Sequence, residues 1–251
     1  MCTVSFIPVK DKFIITSNRD EKLTRKKAIT PVANKLGKHY LIYPKDGEAG
    51  GTWIVMKENG DCAVLLNGAF LPHKLIPPYR KSRGLILLDI IRETRPSQFL
   101  VRFNLDGIEP FTLILLESGS LYEFRWDGNE RYCKQLSIHR PYIWSSSTLY
   151  DGLVIKKRER WFAAFLNRNL NPTQQDVLNF HRFTGNGDKA NDLLMSRENV
   201  YSTVSITSLF LTAERGSMKY FDVLTGAVAE KKIAFTHNQL EPQNIQPGDK
   251  L

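Results

Sequence analysis

The sequence predicts an α+β fold of layered antiparallel sheets, and three observations carry that prediction. The chain opens on two tightly spaced strand pairs, places helical patterns in blocks rather than after every strand, and closes on strand patterns again. The regular strand–helix alternation of a doubly wound parallel sheet is missing.

The elements follow in order. Cys2 to Pro8 and Phe13 to Ser17 are β-rich runs separated by Val9-Lys10-Asp11-Lys12, which predicts a hairpin. A basic loop follows. Thr52 to Lys57 and Asp61 to Asn67 form a second pair around Glu58-Asn59-Gly60, where Asn-Gly is a strong turn signal. Ser82 stands where a cap belongs for a helix running to about Thr94. Its stripe is Leu85, Leu88 and Ile91, widened by Leu87 and Ile90, and Pro96 is expected to end it.

Phe111 to Glu117, Leu121 to Trp126 and Arg131 to Leu136 then read as strands joined by Ser118-Gly119-Ser120 and Asp127-Gly128-Asn129. Val154 to Asn167 is helical, with Trp161, Phe162, Phe165 and Leu166 as the expected buried stripe. Pro172 opens a further helix to about Phe183. Thr203 to Thr212, Met218 to Leu224 and Glu230 to Phe235 complete the strands. No repeat or low-complexity linker divides the chain, so one domain is expected over 1–237, with a polar tail over 238–251.

Composition narrows the function classes. Of 251 residues 42% are hydrophobic and 24% charged, enough apolar material for a core, which excludes general disorder. No run is long and apolar enough for a membrane helix, and no secretory leader is visible, so a cytoplasmic protein is expected. Cys2, Cys62 and Cys133 are sparse and unspaced for metal, which fits a reducing compartment; Cys62 and Cys133 read as inert packing residues. His39, His73, His139, His181 and His237 form no helical pair, so no metal site is expected. Walker A, G-x-G-x-x-G and G-x-S-x-G motifs do not occur.

The net charge of +9 favours anionic partners, and much of it is local: residues 19–45 hold eight Lys/Arg against two acids, Asp20 and Glu21. This run reads as a solvated loop, as a nucleic-acid patch, or as the electropositive rim of a pocket for carboxylate or phosphate groups. No nucleic-acid-binding motif accompanies it, so no nucleic-acid partner is expected.

Cys2 is the residue of chemical interest. Methionine before a small residue is commonly removed, and a terminal Cys2 would unite a thiol nucleophile with its own amine base. If Lys10 and Asp11 form the turn, hairpin register sets Cys2 opposite Arg19, beside Asn18, Asp20 and Glu21. A carboxylate there orients the amine or thiol, and an arginine favours the thiolate. Asn67, where a strand meets a loop, is a candidate oxyanion donor, and Asn67-Gly68 is equally a plain turn. The alternative for Cys2 is a small apolar residue at a strand start, for Arg19 and Asp20 a surface ion pair, and for Trp53 a core aromatic instead of a ligand wall.

These residues resemble the NRDE family, whose eukaryotic branch is the transport and Golgi organisation protein 2 family. The resemblance rests on Met1-Cys2-Thr3, Ser17-Asn18-Arg19-Asp20-Glu21, Gly50-Gly51-Thr52-Trp53-Ile54, and Gly60 followed by Ala63 and Leu66-Asn67. It is dense over residues 1–70 and thinner beyond. It implies a four-layer αββα N-terminal nucleophile (Ntn) hydrolase sandwich, two antiparallel sheets between helix layers. A more distant similarity to bile salt hydrolase and penicillin V acylase implies Cys2 as nucleophile, Asp20 as its orienting group, Arg19 as electrostatic support and Asn67 in the oxyanion hole.

Asn18, Glu21, Trp53 and Ser146 are expected to contact the substrate. Three departures from those acylases stand out: the order is Asn-Arg-Asp instead of Arg-Asn-x-Asp, Ser146, which can still donate a hydrogen bond, stands in the region of their second asparagine, and Val204, which cannot replace an arginine, stands in the region where they carry a later one. The reading is a hydrolase acting on an amide or ester bond of a small, anionic or acyl-bearing molecule, with no resident cofactor. The alternative is a non-enzymatic protein that binds and moves haem, a lipid or acyl-coenzyme A, with Cys2 as a thiolate ligand to haem iron.

Overall fold

The computed structural model describes residues 2–235, with the backbone but not the side chain of Cys2; the expected tail over 238–251 lies outside the described residues. In chain order the elements are β1 (Cys2–Val9), β2 (Lys12–Lys22), β3 (Ile29–Leu36), β4 (His39–Lys45), β5 (Ile54–Lys57), β6 (Cys62–Asn67), α1 (Arg83–Ile91), α2 (Pro96–Arg102), β7 (Phe111–Glu117), β8 (Ser120–Trp126), β9 (Arg131–Leu136), β10 (Tyr142–Ser145), α3 (Gly152–Arg168), α4 (Gln174–Phe183), β11 (Ser196–Arg197), β12 (Tyr201–Leu211), β13 (Arg215–Asp222) and β14 (Val228–Ala234).

They make two antiparallel sheets. One runs β10-β1-β2-β12-β13-β14, with β11 alongside β12, and the other runs β3 to β9 in sequence order. Alternation along each strand decides how these sheets pack. Val4, Phe6, Phe13 and Ile15 of the first sheet meet Ile54, Met56, Val64 and Leu66 of the second in a core between them. Ile7 and Ile14, on the opposite face, pack against Phe162, Val177 and Phe180 of α3 and α4. The outer face of the second sheet carries Val55, Ala63, Leu65 and Leu113 against Leu87, Ile90 and Ile91 of α1 and Leu100 of α2. The result is the four-layer αββα sandwich, in which each fully buried Leu or Ile contributes about 1.5–3 kcal/mol of transfer free energy.

The first hairpin has the expected register: Lys10 turns at φ +57° and Cys2 lies opposite Arg19. Four local expectations are corrected. The basic loop contains β3 and β4; β3 is an edge strand exposed along most of its length, so it lacks the alternation that would reveal it. Pro96 starts α2 instead of closing α1, because the first helical position needs no N–H. The short strand β10, pairing with β1, was not expected. On α3 only Phe162 of the expected stripe is buried, while Arg158 is completely so. Among the described residues no helix is long and apolar enough to cross a membrane.

Candidate active site

Strand β2 builds the site by sending neighbouring side chains to opposite faces. Arg19 enters the space between the sheets, where its guanidinium lies 4.5 Å from the Trp53 ring. It pairs with Asp46, just beyond β4, and approaches Glu21 at 3.6 Å. Arg25 donates to both Asp46 oxygens at 2.9 and 3.0 Å. Burial alone would raise the Asp46 pKa. Hydrogen bonds from Arg25 and the Ala49 N–H, with the charge of Arg19, overcome it and hold the carboxyl at about 2.

Asp20 faces the helices and is fully buried. Tyr150 Oη donates to it at 2.7 Å and Thr203 Oγ1 at 2.6 Å, and the N–H of Met195 donates to the same threonine oxygen at 3.0 Å. Burial raises the Asp20 pKa; Arg158, Thr203 and Tyr150 oppose that. Arg158 crosses the Tyr150 ring at 3.6 Å, donates to Thr3 Oγ1, and is held by the carbonyls of Asn191 and Asp192 at 3.1 and 2.7 Å. A cation therefore reaches the neighbourhood of Asp20 from α3. Val204 is the extra residue of a bulge, where Thr203 opposes Asp20 and Ser205 opposes Arg19.

Arg19 and Asp20 are thus not a solvated ion pair. Both are buried, on different faces and with different partners. Asn18 shares the Asp20 face, where its amide donates to the carbonyls of His181 and Leu193 at 3.1 and 2.7 Å. The structure does not bring Asn18 into the cleft.

Asn67 ends β6 at the rim of that cleft. Ser146 Oγ donates to its backbone carbonyl at 2.7 Å, so Ser146 positions Asn67. Gly68 follows at φ +78°, and a Cβ there would sit 2.5 Å from Ser147 Oγ; the Asn-Gly turn needs its glycine twice over. The Gly50-Gly51 pair has a similar reason. A Cβ on Gly51 would lie 2.4 Å from the backbone of Gly84, so this glycine lets the start of α1 close against Thr52.

The cleft between these parts has a volume of about 660 Å³, within the usual range for a small-molecule site. Arg19, Glu21, Trp53 and Asn67 line it, together with Leu75 and Tyr79. The register of β1 brings the backbone of Cys2 to Arg19; its side chain lies outside the described residues. Among the described residues, no cluster of three His, Cys, Asp or Glu side chains could hold a metal ion.

Sequence reasoning missed Asp46, Tyr150 and Arg158. Arg158 sits in the charged run Lys156-Lys157-Arg158-Glu159-Arg160, where nothing local distinguishes the one buried member. Asp46 offered a faint signal, as the acid that ends a basic stretch before a glycine turn.

Residues 1–184 match the model of the Transport and Golgi organisation 2 family. No curated protein sequence matches the chain. Among solved structures it is similar to a mutant of conjugated bile acid hydrolase from Clostridium perfringens, with 9% identity, a TM-score of 0.54, and coverage of 95% of this chain and 98% of that one. It is also similar to a Caenorhabditis elegans ortholog of N-acylethanolamine-hydrolyzing acid amidase, with 10% identity, a TM-score of 0.57, and coverage of 83% and 92%. Identities this low speak to fold alone, and that fold is the Ntn-hydrolase sandwich. Architecture and family match agree: the chain belongs to the Transport and Golgi organisation 2 family.

Proposed function

We propose that the chain is a cytoplasmic N-terminal cysteine hydrolase that cleaves an amide or ester bond in a small, anionic or acyl-bearing molecule. The observation that carries this reading is the pairing of Cys2 with Arg19, beside a buried Asp20 held by two hydroxyl donors. Removal of Met1 frees the amine of Cys2. With reference pKa values of about 7.7–8.0 for the amine and about 8.5 for the thiol, the amine accepts the thiol proton as sulfur bonds to the substrate carbonyl carbon. Asn67 donates to the developing oxyanion. The C–N or C–O bond then breaks, and the departing group takes the proton from the ammonium. Water adds to the thioester carbon and passes its proton to the amine; the C–S bond breaks and the thiolate regains that proton, releasing the acid. Arg19 favours the thiolate by its charge, and Asp20 orients the amine.

The substrate class draws support from the cleft, which combines Trp53, Leu65 and Leu75 with the exposed Lys22. The two structural neighbours are named for hydrolysis of conjugated bile acids and of N-acylethanolamines. Haem fits these residues less well. Arg19 and Arg25 are committed to Asp46 and Arg83 pairs with Glu109, so these cations are not available to propionates; His73, at the rim, is bound to the same Glu109.

The test is direct. Intact-mass measurement should show the loss of Met1, and a panel of N-acyl amides and acyl esters should include a member turned over by the processed protein. Cys2→Ala and thiol alkylation should each abolish that turnover. A processed protein inert toward the whole panel, or an active Cys2→Ala variant, would overturn the reading.

A further inference from the structure

The segment 68–82, between β6 and α1, contains no helix or strand, and its large aliphatic side chains are exposed. Leu71 is 77% exposed, Leu75 65% and Ile76 70%, and Lys74 is exposed among them. Four apolar residues kept in water within seven positions, Phe70 included, call for a partner, since soluble surfaces seldom hold such patches without one. Phe70 is anchored by Tyr132, ring centroids 4.9 Å apart, and by Arg125 over its face. The base of the loop is fixed; the tip is presented.

Two observations identify the partner chemistry. Leu75, Pro77 and Tyr79 of this loop also line the 660 Å³ cleft, so the patch forms one lip of its mouth. Lys22 and Arg25 line the same cleft, and the exposed Lys26 and Lys27 follow them in the chain. Exposed apolar and basic side chains around one cleft, on a chain of net charge +9, match an anionic lipid surface: the apolar tip enters the acyl boundary while the lysines meet headgroups.

We propose that the protein docks reversibly on anionic membranes through Leu71, Leu75 and Ile76, with Lys26 and Lys27 as the electrostatic half of the contact. The cleft mouth then faces the bilayer, and a membrane-resident amphiphile enters it without crossing water. The docking does not depend on the chemistry assigned to Cys2, and the two can fail separately.

The experiment is co-sedimentation of the full chain with vesicles of phosphatidylcholine alone and with about 30 mol % phosphatidylserine. Binding should favour the anionic vesicles and weaken in about 0.5 M salt. Leu71→Asp/Ile76→Asp should lower partitioning at least about tenfold with an unchanged melting temperature, since both side chains lie in water. Lys26→Glu/Lys27→Glu should lower binding to anionic vesicles alone, by about fivefold or more for each lysine. Failure to bind either vesicle, or binding indifferent to Leu71→Asp/Ile76→Asp, would overturn the proposal. So would self-association in ultracentrifugation that the same double variant abolishes while vesicle binding is absent; the patch would then serve a second copy.

Discussion

His181 is a fully buried imidazole bonded at both nitrogens. Asn18 spends its amide N–H groups on two carbonyls, so its Oδ1 accepts and His181 Nδ1 must donate, at 2.7 Å. His181 Nε2 is then the acceptor for the Ser5 hydroxyl at 2.8 Å. A second proton, on Nε2, would turn Ser5 from donor to acceptor and place a charge in a buried site already beside Arg158. Burial first, and the charge of Arg158 second, push the pKa down to about 3. In the unfolded chain it is about 6.5. Between these values the unfolded state holds a proton that the native state refuses, so stability is lost as pH falls from about 6.5 toward 3. By pH 4 this group alone should have removed about 3 kcal/mol. Urea unfolding at pH 7 and pH 4 tests it: His181→Gln keeps one donor and one acceptor and should lose less than the wild type by that amount. Asp20 titrates in both proteins and cancels in the comparison. Equal losses would show that His181 is not the group responsible.

Elements were legible where the chain carries its own punctuation. The turn segments Val9-Lys10-Asp11-Lys12 and Ser118-Gly119-Ser120 reveal β1, β2, β7 and β8, although β2 and β7 are buried on both faces and show no alternation; Pro172 marks the approach to α4 but lies one residue before its Thr173 cap, whose capping box with Asp176 was not foreseen. The edge strands β3 and β10 owe their existence to neighbours that no local window contains. Glycine separates the same two kinds of cause. Gly51 lies against the backbone of Gly84, whereas Gly152, the first residue of α3, has nothing within 4 Å of an added Cβ. Gly51→Ala should therefore force the start of α1 away from Thr52 and cost about 1–3 kcal/mol. Gly152→Ala, adding helix propensity beside the Asp151 cap, should be neutral or stabilising by up to about 1 kcal/mol. Thermal melts of both variants decide it; an unaffected Gly51→Ala would mean that the sheet–helix contact is slack.

At the scale of the molecule, the candidate site exists because two sheets meet, and that limits what the sequence could reveal. Cys2 and Arg19 share a hairpin, so turn arithmetic was enough to pair them. Asp46 belongs to the other sheet, and Arg158 to a helix beneath the first, so their convergence is a product of packing and leaves no trace in local spacing. Asp46 is the tie between layers: it follows β4 and receives Arg19 from β2 and Arg25 from the segment after it. Its pKa of about 2 lies below the unfolded value of about 3.9. The stability it supplies is thus present above pH 4 and lost only as pH falls through about 2. Asp46→Asn would leave Arg19 buried without its full counter-charge, a loss of about 3 kcal/mol. The deficit should be constant from pH 5 to 9, since Asp46 does not titrate there. Arg25→Met should cost less, because that side chain is 28% exposed and water screens its pairing. Urea unfolding of both variants across that range checks the ordering. If Arg25→Met proves the more damaging, the tie between the sheets runs through the surface rather than through Arg19.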